Sequence, residues 1–272
     1  MKRNAFTGFR APLGVPRLLS AALLIVTIPL PIRAADAIAE AARNVLSQWQ
    51  DAVPTVRLVT KQRTVVSGRE MDRHEQTSET IALIIDSTGL AIISLYRTDP
   101  WESMSSRLSG EDRMQFKWET EITGAEMIMA DGTEIAAGVV MRDKDLDLLF
   151  IRPVTPPSET PPFVDLHNSS RLEVLDRLVL LGRLGRAAGR APSVTLCRIQ
   201  AVVERPRRFY VPEPTALMSG LGTPAFGTDG KILGVLLMRI MPAPGGTTSD
   251  MPIILPAAEI LKVKEQIASP GE

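Results

Sequence analysis

The chain has 272 residues, of which 44% are hydrophobic and 4% aromatic, so one large domain or two small ones can bury a mainly aliphatic core. The formal net charge is zero, but the first 37 residues hold five bases and one acid, which leaves about −4 on the remainder and no basic stripe for nucleic acid. A single cysteine, Cys197, excludes an internal disulfide, and with His74 and His167 as the two histidines we expect no metal site.

The first 37 residues have the pattern of an export signal. Four bases precede an apolar run from Leu18 to Ile32, and Ala35 and Ala37 supply the small residues of a cleavage site after Ala37. The run is short and contains two prolines, which disfavours the alternative of a retained membrane span. The sequence predicts a signal peptide over 1–37 and an exported chain, periplasmic or secreted, with membrane attachment only if the segment is kept as an anchor.

The stretch 38–98 predicts one helix followed by β-strands. Ile38 to Gln50 repeats apolar residues at three- and four-residue spacing, which is typical of an amphipathic helix. The alternation of Val53 to Val66 indicates a strand, and the charged stretch Ser67 to Glu79 predicts a surface loop. Two apolar runs flank Asp86-Ser87-Thr88-Gly89, which indicates a β-hairpin.

Asp99 to Glu119 is polar, charged and without strict periodicity, and it predicts an inserted loop. Its Trp101 and Trp118 have two readings that the sequence leaves open. They either pack the loop against the strands or form an exposed binding surface.

The second half begins after a proline-rich linker. Five prolines occur in 153–162, which excludes regular structure there. Strands are predicted at Leu172 to Gly182 and Val194 to Glu204, with Cys197 in the core, and the chain closes with a strand through Pro252 to Pro256 and a helix from Ala258 to Ile267. The glycine- and arginine-rich stretch 183–190 lacks a phosphate-loop pattern, so no cofactor is expected.

One hairpin carries the most specific motif. Ser219-Gly220-Leu221-Gly222-Thr223-Pro224 leads into an apolar strand, an Asp229-Gly230 turn and a second apolar strand. This resembles the nucleophile hairpin of trypsin-like serine proteases of the HtrA type, where G-N-S-G-G-P-L precedes the same features. Leu221 stands where that motif has its serine.

Two further blocks extend the resemblance. Ile93-Ser94-Leu95-Tyr96-Arg97 follows the first hairpin where the family has T-N-x-H-V, so Tyr96 stands at the histidine position. Asp145-Leu146-Asp147-Leu148 is similar to the family's x-T-D-L and places Asp147 at the catalytic aspartate position, with the family's spacing to Leu221.

The resemblance implies an all-β fold of two antiparallel six-stranded β-barrels of the trypsin-like type with short flanking helices. The N-terminal helix and first barrel would span 38–152, a linker 153–162, and the second barrel and C-terminal helix 163–272.

The resemblance also implies a site whose chemistry is lost. Acyl transfer needs a nucleophile and a nearby base, and neither Leu221 nor Tyr96 supplies one. Ser219, Gly220 and Gly222 would form an oxyanion-hole-like turn that persists as a binding element. We therefore expect a protease homologue that binds a protein or peptide. The alternative is an active endopeptidase with a non-standard site, in which Ser219 is a displaced nucleophile.

Overall fold

The computed structural model describes residues 32–96, 98, 116–242 and 248–267. These residues form two α-helices, short 3-10 turns and thirteen β-strands: α1 Ile32–Trp49, β1 Thr55–Val66, β2 Arg69–Ile81, β3 Leu83–Ile84, β4 Ala91–Ser94, β5 Phe116–Ile128, β6 Glu134–Asp143, β7 Leu148–Pro153, β8 Arg177–Arg183, β9 Pro192–Val203, β10 Phe209–Pro212, β11 Pro224–Gly227, β12 Ile232–Pro242, β13 Thr248–Pro256 and α2 Ala257–Lys264. The chain is therefore mostly β, as predicted.

The first sheet is antiparallel and has the order β2-β1-β5-β6-β7-β4-β3. Its two edge strands, β2 and β3, are separated in the chain by Ala82 alone, so the sheet curls until its edges approach each other. The structure thus has seven strands where six were predicted, because one predicted strand is interrupted at Ala82. The predicted hairpin is present, with Leu83 paired to Ile92.

The second unit is a closed six-stranded barrel with the order β10-β13-β12-β11-β8-β9. The predicted hairpin of β11 and β12 lies within it, and Ala225 pairs with Gly234. Gly230 at its tip has φ +79°, a conformation that glycine adopts readily. We call this unit the closed barrel.

The first sheet and the closed barrel share one hydrophobic core. Leu148 and Phe150 of β7 belong to the same buried cluster as Val179 of β8 and Val235 of β12. Cys197 is buried in a separate cluster inside the closed barrel, as predicted, and burial raises the pKa of its thiol to about 12. A reactive role for this thiol is therefore disfavoured.

Helix α1 docks on the closed barrel although it precedes the first sheet in the chain. Trp49 donates an indole hydrogen bond to the carbonyl of Gly230 at 3.1 Å, and its ring stacks on Phe226 with the centroids 6.2 Å apart. The helix begins at Ile32, six residues before the predicted start at Ile38. Within the described residues, no helix is both long and apolar enough to cross a bilayer.

The predicted surface loop from Ser67 to Glu79 is wrong. These residues form most of β2, which pairs with β1 in a long hairpin whose turn residues Ser67 and Gly68 have φ values of 48° and 77°. The strand is exposed on both faces over Arg69 to Gln76, so its sequence has no apolar alternation to reveal it.

The predicted inserted loop is also wrong at its end, because β5 begins at Phe116. Trp118 lies in this strand opposite Thr64 and is half-buried. Trp101 lies outside the described residues, so the binding surface predicted from the two tryptophans stays a prediction.

Candidate functional site

The turn that carries Leu221 connects a 3-10 helix to strand β11 and contains two glycines with positive φ. A 3-10 helix, Pro214–Ser219, ends at Gly220, which has φ +86°, and Gly222 has φ +87°. A Cβ atom on Gly222 would lie 2.6 Å from the carbonyl oxygen of Ile81 in the first sheet, so this position requires glycine for space as well as for conformation. Leu221 itself is 7% exposed and belongs to the core of the closed barrel.

The two glycine amides of this turn both donate to main-chain carbonyl groups of the protein. The amide of Gly220 donates to Leu217 at 3.1 Å, and that of Gly222 donates to Leu236 at 2.7 Å. The Thr223 hydroxyl lies 2.7 Å from the Gly220 carbonyl and 2.9 Å from that of Ser219. The amides of Gly220 and Gly222 therefore already have acceptors, and the oxyanion-hole-like role of the turn of Ser219, Gly220 and Gly222 stays a prediction.

Asp147 is buried between the first sheet and the closed barrel. Its Oδ2 accepts hydrogen bonds from the Ser94 hydroxyl at 2.7 Å and the Met238 amide at 2.8 Å, and its Oδ1 accepts from the amide of Tyr96. Burial raises the pKa of this carboxyl group to about 6, against the opposing effect of these donors. Asp147 thus links the two β units through main-chain and hydroxyl donors, without a histidine.

Tyr96 points its hydroxyl away from Asp147. The hydroxyl donates to Oδ2 of Asp250 on β13 at 2.7 Å, and the ring packs against the apolar cluster that contains Leu221. The structure therefore brings Tyr96 into contact with Asp147 through its main chain and places its ring beside the cluster of Leu221. The side chains at the three triad-equivalent positions are a phenol, a carboxylate and an isobutyl group.

The histidines and Ser219 do not assemble a substitute site. His74 and His167 are exposed, and each lies close to its own neighbouring aspartate, Asp72 and Asp165. The Ser219 hydroxyl is buried and has no hydrogen-bond partner among the described residues, so none of these residues acts as its base.

Sequence reasoning missed four residues that support this site: Ser94, Thr223, Met238 and Asp250. One signal was available for Ser94. It is the polar member of the otherwise apolar run Ala91 to Leu95, and a fully buried hydroxyl needs a hydrogen-bond partner. Met238 acts through its main chain, which no side-chain pattern reveals.

Two adjoining cavities lie between the first sheet and the closed barrel, and Leu221 lines one of them. One has a volume of about 320 Å³ and is lined by residues that include Ile81, Leu217 and Met218. The other, about 160 Å³, includes Met129 and Arg190 in its lining. Both are lined by Thr55 and Arg183, so they adjoin there. We call the pair the inter-sheet groove.

The fold defined by these features is that of the trypsin-like proteases of the HtrA type. A substituted form of the HtrA-type protease AlgW with a tripeptide superposes with a TM-score of 0.51, at 16% identity over 85% of this chain and 64% of that one. AlgW with a decapeptide gives 0.54, at 14% identity over 85% and 68%. Deg5 gives 0.52, at 14% identity over 82% and 92%.

These likenesses show the fold, and the chain spans less than two thirds of the first of these structures. No protein-family model matches the sequence, and no curated protein matches it.

Proposed function

We propose that this chain is an exported, catalytically inactive protein with an HtrA-type protease fold that binds a protein or peptide. The observation that carries the proposal is the state of the three triad-equivalent positions. Leu221 has no nucleophilic atom, the Tyr96 hydroxyl is engaged by Asp250, and the Asp147 carboxylate is held by Ser94 and two main-chain amides.

The three triad-equivalent positions lack the nucleophile and the general base that acyl transfer needs. A phenol with an ordinary pKa near 10 is a poor general base at neutral pH. The Asp147 carboxylate is surrounded by donors that would have to be displaced before it could orient a catalytic group. The active-endopeptidase alternative would need Ser219, whose hydroxyl has no base or hydrogen-bond partner within the part of the chain that the structure describes.

The binding half of the proposal rests on the inter-sheet groove. It adjoins Leu221, and Leu217, Leu184 and Met218 on its rim are 42%, 49% and 88% exposed. Exposed apolar side chains beside a cavity are typical of ligand-binding surfaces. The AlgW structures contain a tripeptide and a decapeptide, which is consistent with a peptide as the ligand here.

The export half rests on the sequence of the first 37 residues, with its basic flank, apolar run and small residues before position 38. Amino-terminal sequencing of native material from an envelope fraction tests it. We expect a mature terminus at Ile38. A terminus at Met1 in a membrane fraction would contradict export as a free protein.

The catalytic part of the proposal is tested with casein and a fluorophosphonate probe. We expect neither turnover of casein nor labelling by the probe. Turnover that disappears in Ser219→Ala would identify a displaced nucleophile and would favour the endopeptidase alternative.

The binding part is tested with an array of immobilised decapeptides of systematically varied sequence. We expect the purified chain to bind a subset of them, and Met218→Glu on the groove rim to weaken this binding. Met71→Glu is the matched control, because Met71 is 64% exposed on the distant β1–β2 hairpin. Equal binding by both variants would show that the peptides bind elsewhere.

A further inference from the structure

Arg183 is the last residue of β8 and lines both cavities of the inter-sheet groove. Its guanidinium donates from Nε to the Val53 carbonyl, from Nη1 to the Arg190 carbonyl at 3.1 Å and from Nη2 to the Gln50 carbonyl at 2.7 Å. A guanidinium has one N–H on Nε and two on each Nη, so each Nη keeps a further N–H beyond these bonds. The fork of Arg183 is thus fixed in place with donors to spare.

Asp51 acts electrostatically on Arg183, but the guanidinium has no ion pair among the described residues. All three acceptors are neutral carbonyls, and among the described residues no carboxylate lies within ion-pair distance of its guanidinium. The side chain is half-buried, and burial lowers the pKa of the guanidinium, which still stays charged. A buried cation without an anionic partner favours binding of an anion.

The acid that also lines the groove does not fill this role. Glu79 accepts two hydrogen bonds from Arg190, at 2.6 and 3.1 Å, and lies 3.9 Å from Arg57. These cations lower the pKa of the Glu79 carboxyl group and pair with its negative charge. The groove therefore has an excess positive charge at Arg183.

The surface next to this cation is apolar. Leu184 follows Arg183 in the chain and is 49% exposed, and Leu217 and Met218 lie on the same cavity. A fixed guanidinium beside exposed aliphatic side chains matches a ligand that carries an acidic group next to an apolar one.

We propose that the inter-sheet groove binds an extended peptide segment in which an acidic side chain pairs with Arg183 and a neighbouring apolar side chain packs on Leu184, Leu217 and Met218. This inference rests on the proposed peptide-binding function and specifies its ligand. The preference for an acidic side chain in the ligand comes from the guanidinium of Arg183. It does not come from a main-chain group of the fold.

The test uses fluorescein-labelled decapeptide pools in which one central pair of residues is fixed and the other positions are mixed. Fluorescence anisotropy compares pools fixed as Leu-Asp or Leu-Glu with pools fixed as Leu-Asn or Leu-Gln. We expect the acidic pools to bind about tenfold more tightly, because a hydrogen-bonded ion pair replaces a neutral contact. This advantage should shrink on raising salt from about 50 mM to about 500 mM.

Two substitutions locate the effect. Leu184→Glu adds a negative charge at the exposed rim and should remove the preference for acidic pools, whereas Met71→Glu adds the same charge on the distant hairpin and should leave it intact. Arg183→Gln should also remove the preference, with a thermal melt to establish that the variant is folded. If Arg183→Gln does not fold, the preference for acidic pools measured with Leu184→Glu decides whether the inference stands.

The outcomes separate this inference from the function on which it rests. Peptide binding with equal affinity for acidic and amide pools overturns the acidic-ligand inference and leaves peptide binding standing. Absence of binding by every pool overturns both. Binding of free acetate or glutamate as tight as that of the acidic pools would overturn the peptide as ligand.

Discussion

The carboxylate of Asp147, which lies at the start of β7 in the first sheet, accepts a hydrogen bond of 2.8 Å from the main-chain amide of Met238 in the closed barrel. This bond joins the two β units at the residue that the sequence motifs predict to stand at the catalytic aspartate position. The contacts of Asp147 are those of a buried structural acid. The clearest consequence of burying Asp147 is the raised pKa of its carboxyl group.

Asp147 should make the protein less stable as pH rises from about 4 to about 6. Its folded-state pKa of about 6 lies above the ordinary value of 3.8, so the folded state binds more protons than the unfolded state in this window. The free energy of unfolding of the wild type relative to Asp147→Asn should fall by up to about 3 kcal/mol across it and then level off.

Chemical denaturation of both proteins over this pH range measures the difference. The comparison with Asp147→Asn is needed because Glu79, Asp86 and Asp165 have lowered pKa values, so acidification destabilises the protein through them. A difference that is constant with pH would show that Asp147 keeps an ordinary pKa.

Gly222→Ala should strongly destabilise the contact between the two β units. The position combines φ +87° with a Cβ site 2.6 Å from the carbonyl oxygen of Ile81. We expect a loss of about 3 kcal/mol or more in the free energy of unfolding. Gly132→Ala is the control, because Gly132 has the same φ of +87° with no atom within 4 Å, and it should lose about 1 kcal/mol. Equal losses would mean that the Ile81 contact relaxes freely.

Leu175→Gly should stabilise the protein. Leu175 has φ +73° and is 67% exposed, so its backbone is strained while its side chain contributes little burial. We expect a gain of about 0.5–1 kcal/mol in the free energy of unfolding, measured by urea denaturation. Leu175→Val should lose stability, since a β-branched residue tolerates this conformation less well. A gain from valine would contradict the strain argument.

The double substitution Leu221→Ser and Tyr96→His should restore reactivity towards a fluorophosphonate probe. The main-chain amide of Tyr96 already donates to Asp147, so a histidine at this position starts beside the carboxylate that would orient it. Leu221→Ser alone lacks a base and should label far more slowly.

Adding Asp147→Asn to the double variant is the control, and it should reduce labelling again. A folded double variant that does not react would show that the Leu221 turn is not the nucleophile position of this fold.

The sequence was most informative where two apolar runs flank a short turn that contains aspartate and glycine. The β3–β4 and β11–β12 hairpins were predicted because their inward faces are apolar and their turns contain Gly89 and Gly230, both with positive φ. Strand β2 was missed because it is polar on both faces and depends on pairing with β1, which is a contact between strands and not a property of either sequence.

The motif blocks predicted which residues form the candidate site, but they did not predict the hydrogen bonds that those residues make. The order of three motif blocks located Tyr96, Asp147 and Leu221. It could not show that the Tyr96 hydroxyl turns to Asp250, because that bond joins residues 154 apart in the chain. It could not show that the glycine amides of the turn have acceptors, because the Gly220 bond follows from the local 3-10 geometry and the Gly222 bond reaches Leu236 on β12.

Helix α1 places a constraint on the order of assembly. Its Trp49 contacts Phe226 and Gly230, which are encoded almost 180 residues later, and one hydrogen bond spans 181 positions. The helix cannot reach its final place until nearly the whole closed barrel has been made. Contacts of such separation slow folding. A chain emerging from the ribosome would thus keep the α1 segment undocked until the closed barrel is nearly complete.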